Sequence, residues 1–378
     1  MSEYQYYEFQ AIDRPLTEKE MGELRSCSTR ARITPTSFVN DYSWGTFKGN
    51  QDAWMDKYFD AFLYLANWGT HLFKLRLPSR LLDLETARQY CAGEGASARE
   101  KDGRIILSFS SEDEGGGDWV EGEGHLSSLV SVRADLARGD LRALYLGWLL
   151  CVQGGDLEDE AVEPPVPPGL GQLSACLESM VEFLRIDADL LRVVSNSSRP
   201  LADASLKHDE VMAWVAKLSA TEKDNLITRW ITDADTALPV ELSRRFLRDQ
   251  RGPGAEPVGL RTAGKLRHAA EVHAEERQRA AAKKAAEEKA RRERDAAAAR
   301  QKYLDGLAPK APQLWGQVET LIATKQPKSY ERAVELLVDL RDLSARGGGF
   351  DFRSRVESLR AANVRKPAFL ERLGKVGL

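Results

Sequence analysis

The side chains best suited to hold a hard cation gather in SEDEGGGDWVEGEGH, residues 111–125. Glu112, Asp113, Glu114, Asp118, Glu121 and Glu123 offer carboxylate oxygens, with His125 close by. Calcium and magnesium take such ligands, but an EF-hand needs them at fixed offsets that this spacing does not match. Glycines between the acids favour a solvated loop over a metal site, and an acidic loop is suited to dock on a basic partner. Neither a metal nor a cofactor is expected.

Catalytic patterns are scarce. The five histidines, His71, His125, His208, His268 and His273, are scattered, and the step between the last two puts them on different faces of a helix. HExxH, GxSxG and a phosphate-binding glycine loop are absent. Cys27, Cys91, Cys151 and Cys176 never form CxxC or CxC, which argues against a disulfide framework or zinc ribbon. They read as small buried apolar residues in a reducing compartment. No catalytic residue is assigned, and an enzyme with an unfamiliar site near the N-terminus remains only an alternative.

Recognition is the chemistry left. Tyr42, Trp44 and Phe47 lie with Lys48 in the loop-like stretch DYSWGTFKGN. Exposed aromatics beside a cation suit a peptide or a single nucleic-acid strand; the competing reading is that they cap the open end of a core. At the other end, from Arg341 onward, nine basic residues face four acidic ones. Arg353, Arg355, Arg360, Arg365, Lys366, Arg372 and Lys375 are the candidates to meet phosphates.

These groups must be positioned by elements that the hydrophobic pattern predicts. YQYYEFQAI reads as a strand with Tyr7, Phe9 and Ala11 on one face. Thr17 and Glu20 form a capping-box signature for a helix through Cys27. ARITPTSFV is extended, with Pro35 at an edge or bend. Residues 51–67 read as one helix carrying Trp54, Tyr58, Phe62 and Leu65, stopped by Gly69. HLFKLRLP follows as a strand with Phe73, Leu75 and Leu77 inward and Lys74 and Arg76 outward. After a short helix at LETARQY, a hairpin turns at Asp102-Gly103. The expected fold is an α+β sandwich of mainly antiparallel strands with helices on one face.

Strand signals vanish after Leu126. Two helices broken near Gly139 precede an acidic, proline-rich strap, GGDLEDEAVEPPVPPGLG. Four or five short helices follow, with Val211, Trp214 and Leu218 sharing a face. Leu226, Trp230 and Ile231 are read as inward, after a capping pair at Thr221 and Asp224. The expected division is residues 1–124 as head, 125–249 helical, 250–264 an exposed Pro/Gly joint, 265–308 a charged helix and 309–378 a helical tail. In that tail Trp315, Val318 and Ile322 should pack on Ala333, Val334, Leu337, Leu340 and Leu343.

The charged helix, EERQRAAAKKAAEEKARRERDAAAARQKY, lacks large apolar residues before Tyr303. Opposite charges recur four residues apart, as in Lys284–Glu288 and Glu288–Arg292, each pair worth roughly 0.2–0.5 kcal/mol. Apolar coiled-coil seams are missing, and glutamates interrupt the cations. A solvated spacer is the favoured reading, with a basic contact surface second.

Charge is polarised. Residues 1–171 carry 17 basic and 28 acidic side chains, the remainder 37 and 30. The start lacks the basic and apolar pattern of a secretory signal, and LRALYLGWLLCV is too short to span a bilayer. A soluble cytoplasmic protein without a membrane partner is expected.

YQYYEFQAIDRPLT, RITPTSFVNDYSWG, YFDAFLYLANWGT, GDLRALYLGWL and EPPVPPGL resemble a recurrent bacterial protein family across residues 1–240, a likeness that implies no activity. LIATKQPKSYERAVELLVDLRDLSAR and RKPAFLERLGKVGL resemble the helical tail that follows the zinc module in bacterial SWIM zinc-finger proteins. The module's own CxC and CxH pattern is missing, so neither its zinc nor its nucleic-acid role carries over. The tail is then a docking module. A non-enzymatic adaptor or regulatory protein with an acidic head and a basic tail is the expected function. The alternatives are a nucleic-acid accessory protein and a regulator released by proteolysis near Gly252.

Overall fold

Alternating polar and apolar residues at the N-terminus build an antiparallel sheet. The computed structural model describes residues 4–45, 47–113, 121–201, 207–232, 238–251, 261–347 and 351–378. In chain order the first elements are β1 (Gln5–Gln10), α1 (Glu18–Cys27), β2 (Arg32–Thr34), β3 (Ser37–Tyr42), α2 (Gln51–Lys57), β4 (Ala61–Ala66), β5 (His71–Pro78), α3 (Leu84–Arg88), β6 (Ala96–Lys101) and β7 (Arg104–Ser111). The seven strands lie in the order β2-β3-β1-β4-β5-β7-β6, every neighbour antiparallel. Asp102 and Gly103, both at positive φ, close the β6–β7 hairpin as expected. The Thr17 capping box opens α1.

Residues 51–67 are not one helix. α2 ends at Lys57, and Ala61–Ala66 form the sheet's fourth strand. The run AFLYLA is buried at every position because both faces of this strand are covered. Ala61, Leu63 and Leu65 join one core, Phe62, Tyr64 and Ala66 the other. Helices therefore pack on both faces, where one was expected. α1 and α2 bring Leu24, Trp54 and Met55 against Tyr7, Phe9 and Phe38.

The opposite face is covered by α4 (His125–Leu129), α5 (Ser131–Ala137), α6 (Arg142–Gly154), α7 (Ala175–Phe183) and α8 (Ala188–Ser195). The segment read as two helices is three. Residues of the sheet and of α4–α8 share this core, with Trp148, Tyr145 and Phe109 among its fully buried side chains.

α9 (His208–Lys217), α10 (Ala220–Thr232) and α11 (Leu238–Arg251) follow. Trp214 is buried, donating to Asp249 at 3.0 Å. The inward reading of α10 is corrected for Trp230 and Ile231, 64% and 72% exposed, while Leu226 is half-buried. Its inner side carries charge instead, Arg229 meeting Glu241 at 2.7 Å and Glu222 meeting Arg245 at 2.6 Å. Its cap is Ser219, whose hydroxyl accepts the Glu222 N–H, in place of the Thr221–Asp224 pair.

The proline-rich strap clamps the start of α12 (Ala263–Leu307). Val162 bridges Thr262, and the Ala263 N–H donates to the Ala161 carbonyl at 2.9 Å. Beneath it Glu163 accepts two bonds from Arg261, at 2.7 and 2.6 Å, and one from the Tyr145 hydroxyl. Residues 275–299 of α12 are exposed throughout.

The chain divides into two compact units, residues 1–276 and 277–378. In the second, α13 (Ala311–Ala323), α14 (Pro327–Ala345), α15 (Phe352–Ala362) and α16 (Pro367–Lys375) enclose a separate core of Trp315, Val318, Ile322, Leu337, Leu340 and Phe369. The expected α13–α14 pairing is present. Arg300 and Tyr303 fasten the end of α12 to Asp339 on α14 at 2.5 and 3.0 Å. Among the described residues no helix is long and apolar enough to cross a membrane.

Candidate docking surfaces

His71 and His273 are held in internal contacts. His71, at the start of β5, is buried; its Nδ1 donates to the Phe183 carbonyl and its Nε2 accepts from Arg185 at 2.9 Å. Arg185 also donates to the Gly69 carbonyl at 2.7 Å. Burial lowers the imidazole's pKa; Arg185 and His125 push the same way, against the Phe183 carbonyl and Asp113. The ring is a neutral linker between β5 and the end of α7. His208 and His268 are exposed, while His273 meets Asp189 at 2.8 Å.

Burial pushes the Cys91 thiol up to about 12 and the Cys151 thiol up to about 11, away from thiolate chemistry. No group of three potential metal ligands is found among the described residues. Of the acidic cluster, Glu112, Asp113, Glu121 and Glu123 are described, and Glu123 lies 3.5 Å from Arg32. Glu114 and Asp118 lie outside the described residues, as do residues 252–260 of the joint expected at 250–264, whose two ends belong to α11 and to the start of α12.

Lys74 and Arg76 depart from expectation in a telling way. They point away from the Phe73–Leu77 core, yet are only 8% and 5% exposed. Acidic residues on and beside α2 cover them. Asp52 pairs with Lys74 at 2.7 Å, and buried Asp60 accepts from Arg76 at 3.1 and 2.9 Å. Asp60 also accepts the Ile12 and Asp13 N–H groups, at 2.7 and 2.9 Å. Asp13 holds Arg104 and Arg133, each at 2.7 Å. Asp56 holds Arg99 at 2.6 Å and Lys101 at 2.7 Å. This network ties α2 and the β1–α1 loop to the sheet; charge is matched by charge, as burial demands.

The aromatic loop set splits in two. Phe47 stacks on Tyr7 at 4.8 Å and meets Trp54 edge-on at 4.9 Å; Tyr42 meets Tyr7 edge-on at 5.7 Å. These two are anchors in the second core, each such pair worth about 0.5–1.5 kcal/mol beyond burial. The Gly45 carbonyl accepts from Gln5 at 3.0 Å. Trp44 instead is 68% exposed, with the Arg30 guanidinium 4.9 Å from its ring centre, and Lys48 is exposed. Arg30, which sequence reading missed, is brought to Trp44 only by the fold.

The basic set of the second unit also divides. Arg353, Arg372 and Lys375 pair with Glu357, Glu331 and Glu371 at 3.5, 3.4 and 2.9 Å. Lys375 lowers the Glu371 carboxyl's pKa. Arg355 lies 5.3 Å from the Trp315 ring centre, and the Lys366 ammonium donates to the Ile322 carbonyl at 3.1 Å. Arg360 and Arg365 are exposed, with no ion pair among the described residues.

Two clefts open on this unit. One, about 380 Å³, lies between α13 and α15 over Trp315, Ile322 and Leu359. The other, about 830 Å³, is lined by Lys325, Tyr330, Val364 and Arg365. Ala362, Asn363 and Lys366 line both. Lys325 was missed in the sequence; the prolines that restart α14 and α16 were the available signal that the chain turns here. Comparison with protein-family models, curated proteins and solved structures finds no match.

Proposed function

We propose that the protein is a non-enzymatic interaction protein, a cytoplasmic adaptor or regulator whose first unit binds another protein through Trp44. The observation that carries this reading is the exposed Trp44 ring beside Arg30, while Tyr42 and Phe47 pack on Tyr7. Tryptophan and arginine dominate binding hot spots because a rigid ring commits much area at little entropic cost. His71, Lys74, Arg76 and Asp60 serve internal braces, whereas Trp44 and Arg30 meet each other on the outside of the first unit.

A second reading, nucleic-acid association through the second unit, is favoured by Arg360 and Arg365, which have no carboxylate partner among the described residues. One experiment separates the two. Tagged full-length protein is recovered from its native cell with and without nuclease, beside Trp44→Ala. The interaction reading expects a discrete partner that survives nuclease and weakens with Trp44→Ala by about 2 kcal/mol or more. Partners lost to nuclease and indifferent to Trp44 would put nucleic acid first.

A further inference from the structure

We propose that the two clefts of the second unit form one groove that docks an acidic segment of a partner protein, an apolar side chain of which seats between α13 and α15. This deepens the interaction reading but does not depend on Trp44.

The charge of the lining comes first. Lys325, Arg355, Arg365 and Lys366 line the two clefts, against the single carboxylate of Glu319. None of the four has a carboxylate partner among the described residues, whereas neighbouring Arg353, Arg372 and Lys375 do. Cations left unmatched around one depression make a surface complementary to acidic side chains, which steers and orients such a partner.

Apolar character comes second. Trp315, Ile322 and Leu359 form the floor, and Val364 stands 67% exposed on the wider cleft. A cleft of about 380 Å³ falls at the small end of the range that ligand pockets occupy. A cationic rim over an apolar floor fits a peptide that alternates acids with an apolar anchor.

The same geometry disfavours a nucleic-acid strand. Base stacking needs an open aromatic face. Trp315 and Tyr330 are each only 6% exposed, and Arg355 lies over the Trp315 ring.

The test uses the full-length chain and fluorescence anisotropy. Three labelled probes are compared: a peptide of glutamates around a leucine pair, the same peptide with lysines for glutamates, and a single-stranded oligonucleotide. The acidic peptide should bind saturably and the lysine peptide should not. Lys325→Glu with Arg365→Glu should weaken binding by about tenfold or more. Ala362→Trp, at an exposed position lining both clefts, should weaken it equally without changing charge, with circular dichroism confirming that the variant folds. Absence of saturable peptide binding would overturn the proposal. So would binding indifferent to Ala362→Trp, or preference for the oligonucleotide. Trp44→Ala should leave peptide binding untouched, so failure at the groove is distinguishable from failure of the interaction reading at the loop.

Discussion

At the scale of single residues, His71 shows how the tertiary structure uses a group that sequence leaves ambiguous. Its neutral ring donates on one side and accepts on the other, so a second proton would abolish the bond from Arg185. The folded-state pKa lies below the ordinary value of 6.5. The unfolded chain therefore takes up a proton first as pH falls, and stability is lost from about pH 6.5 downward through the lower folded pKa. Melting temperature should drop between pH 7 and pH 5, and His71→Gln should flatten that slope while lowering stability at neutral pH. A wild-type slope unchanged by the substitution would remove His71 from the cause. Lys74 and Arg76 teach a related lesson. Strand alternation assigned their side of the sheet correctly, since alternation is local. Their burial depended on Asp52 and Asp60, and nothing in HLFKLRLP encodes those partners.

At the scale of elements, local signals worked where one physical cause dominated. The Thr17 capping box, the Asp102-Gly103 turn and the α13–α14 pair were legible because each is set by neighbouring residues. Residues 51–67 misled because a run buried on both faces satisfies helix and strand periodicity equally. α10 misled in another way. Ile227, Trp230 and Ile231 face outward while Arg229 and Glu222 turn to α11, an arrangement only pairing partners decide.

α12 is the opposite case, an element held largely by its own sequence. Over residues 275–299 it is exposed throughout, and Arg292 meets Glu288 at 2.7 Å. With no core to compensate, Ala286→Gly should express nearly the full propensity cost, about 1 kcal/mol. Amide exchange near that position should quicken about fivefold by mass spectrometry. No change there would mean that contacts beyond the helix hold it.

For the whole molecule, the two compact units carry a thermodynamic expectation. Leu340 is fully buried in the core of the second unit, so Leu340→Ala should cost about 2–5 kcal/mol there. Scanning calorimetry should show two transitions, with only one shifted by that substitution. A single transition moving as a whole would mean that the chain melts as one cooperative unit.

The amino-acid sequence by itself determined the order of strands and helices over most of the chain, the charged helix, the helical tail and the lack of familiar catalytic motifs. These follow from periodicity, propensity and spacing, which act between residues close in the chain. Only the tertiary structure decided that the sheet is covered on both faces and that the proline-rich strap grips Arg261. It alone sent Tyr42 and Phe47 inward and Trp44 outward, and it gathered Lys325 with Lys366 around one groove. Each of those outcomes pairs residues far apart in the chain, and their energies come from burial and charge matching that exist only once the chain has closed on itself.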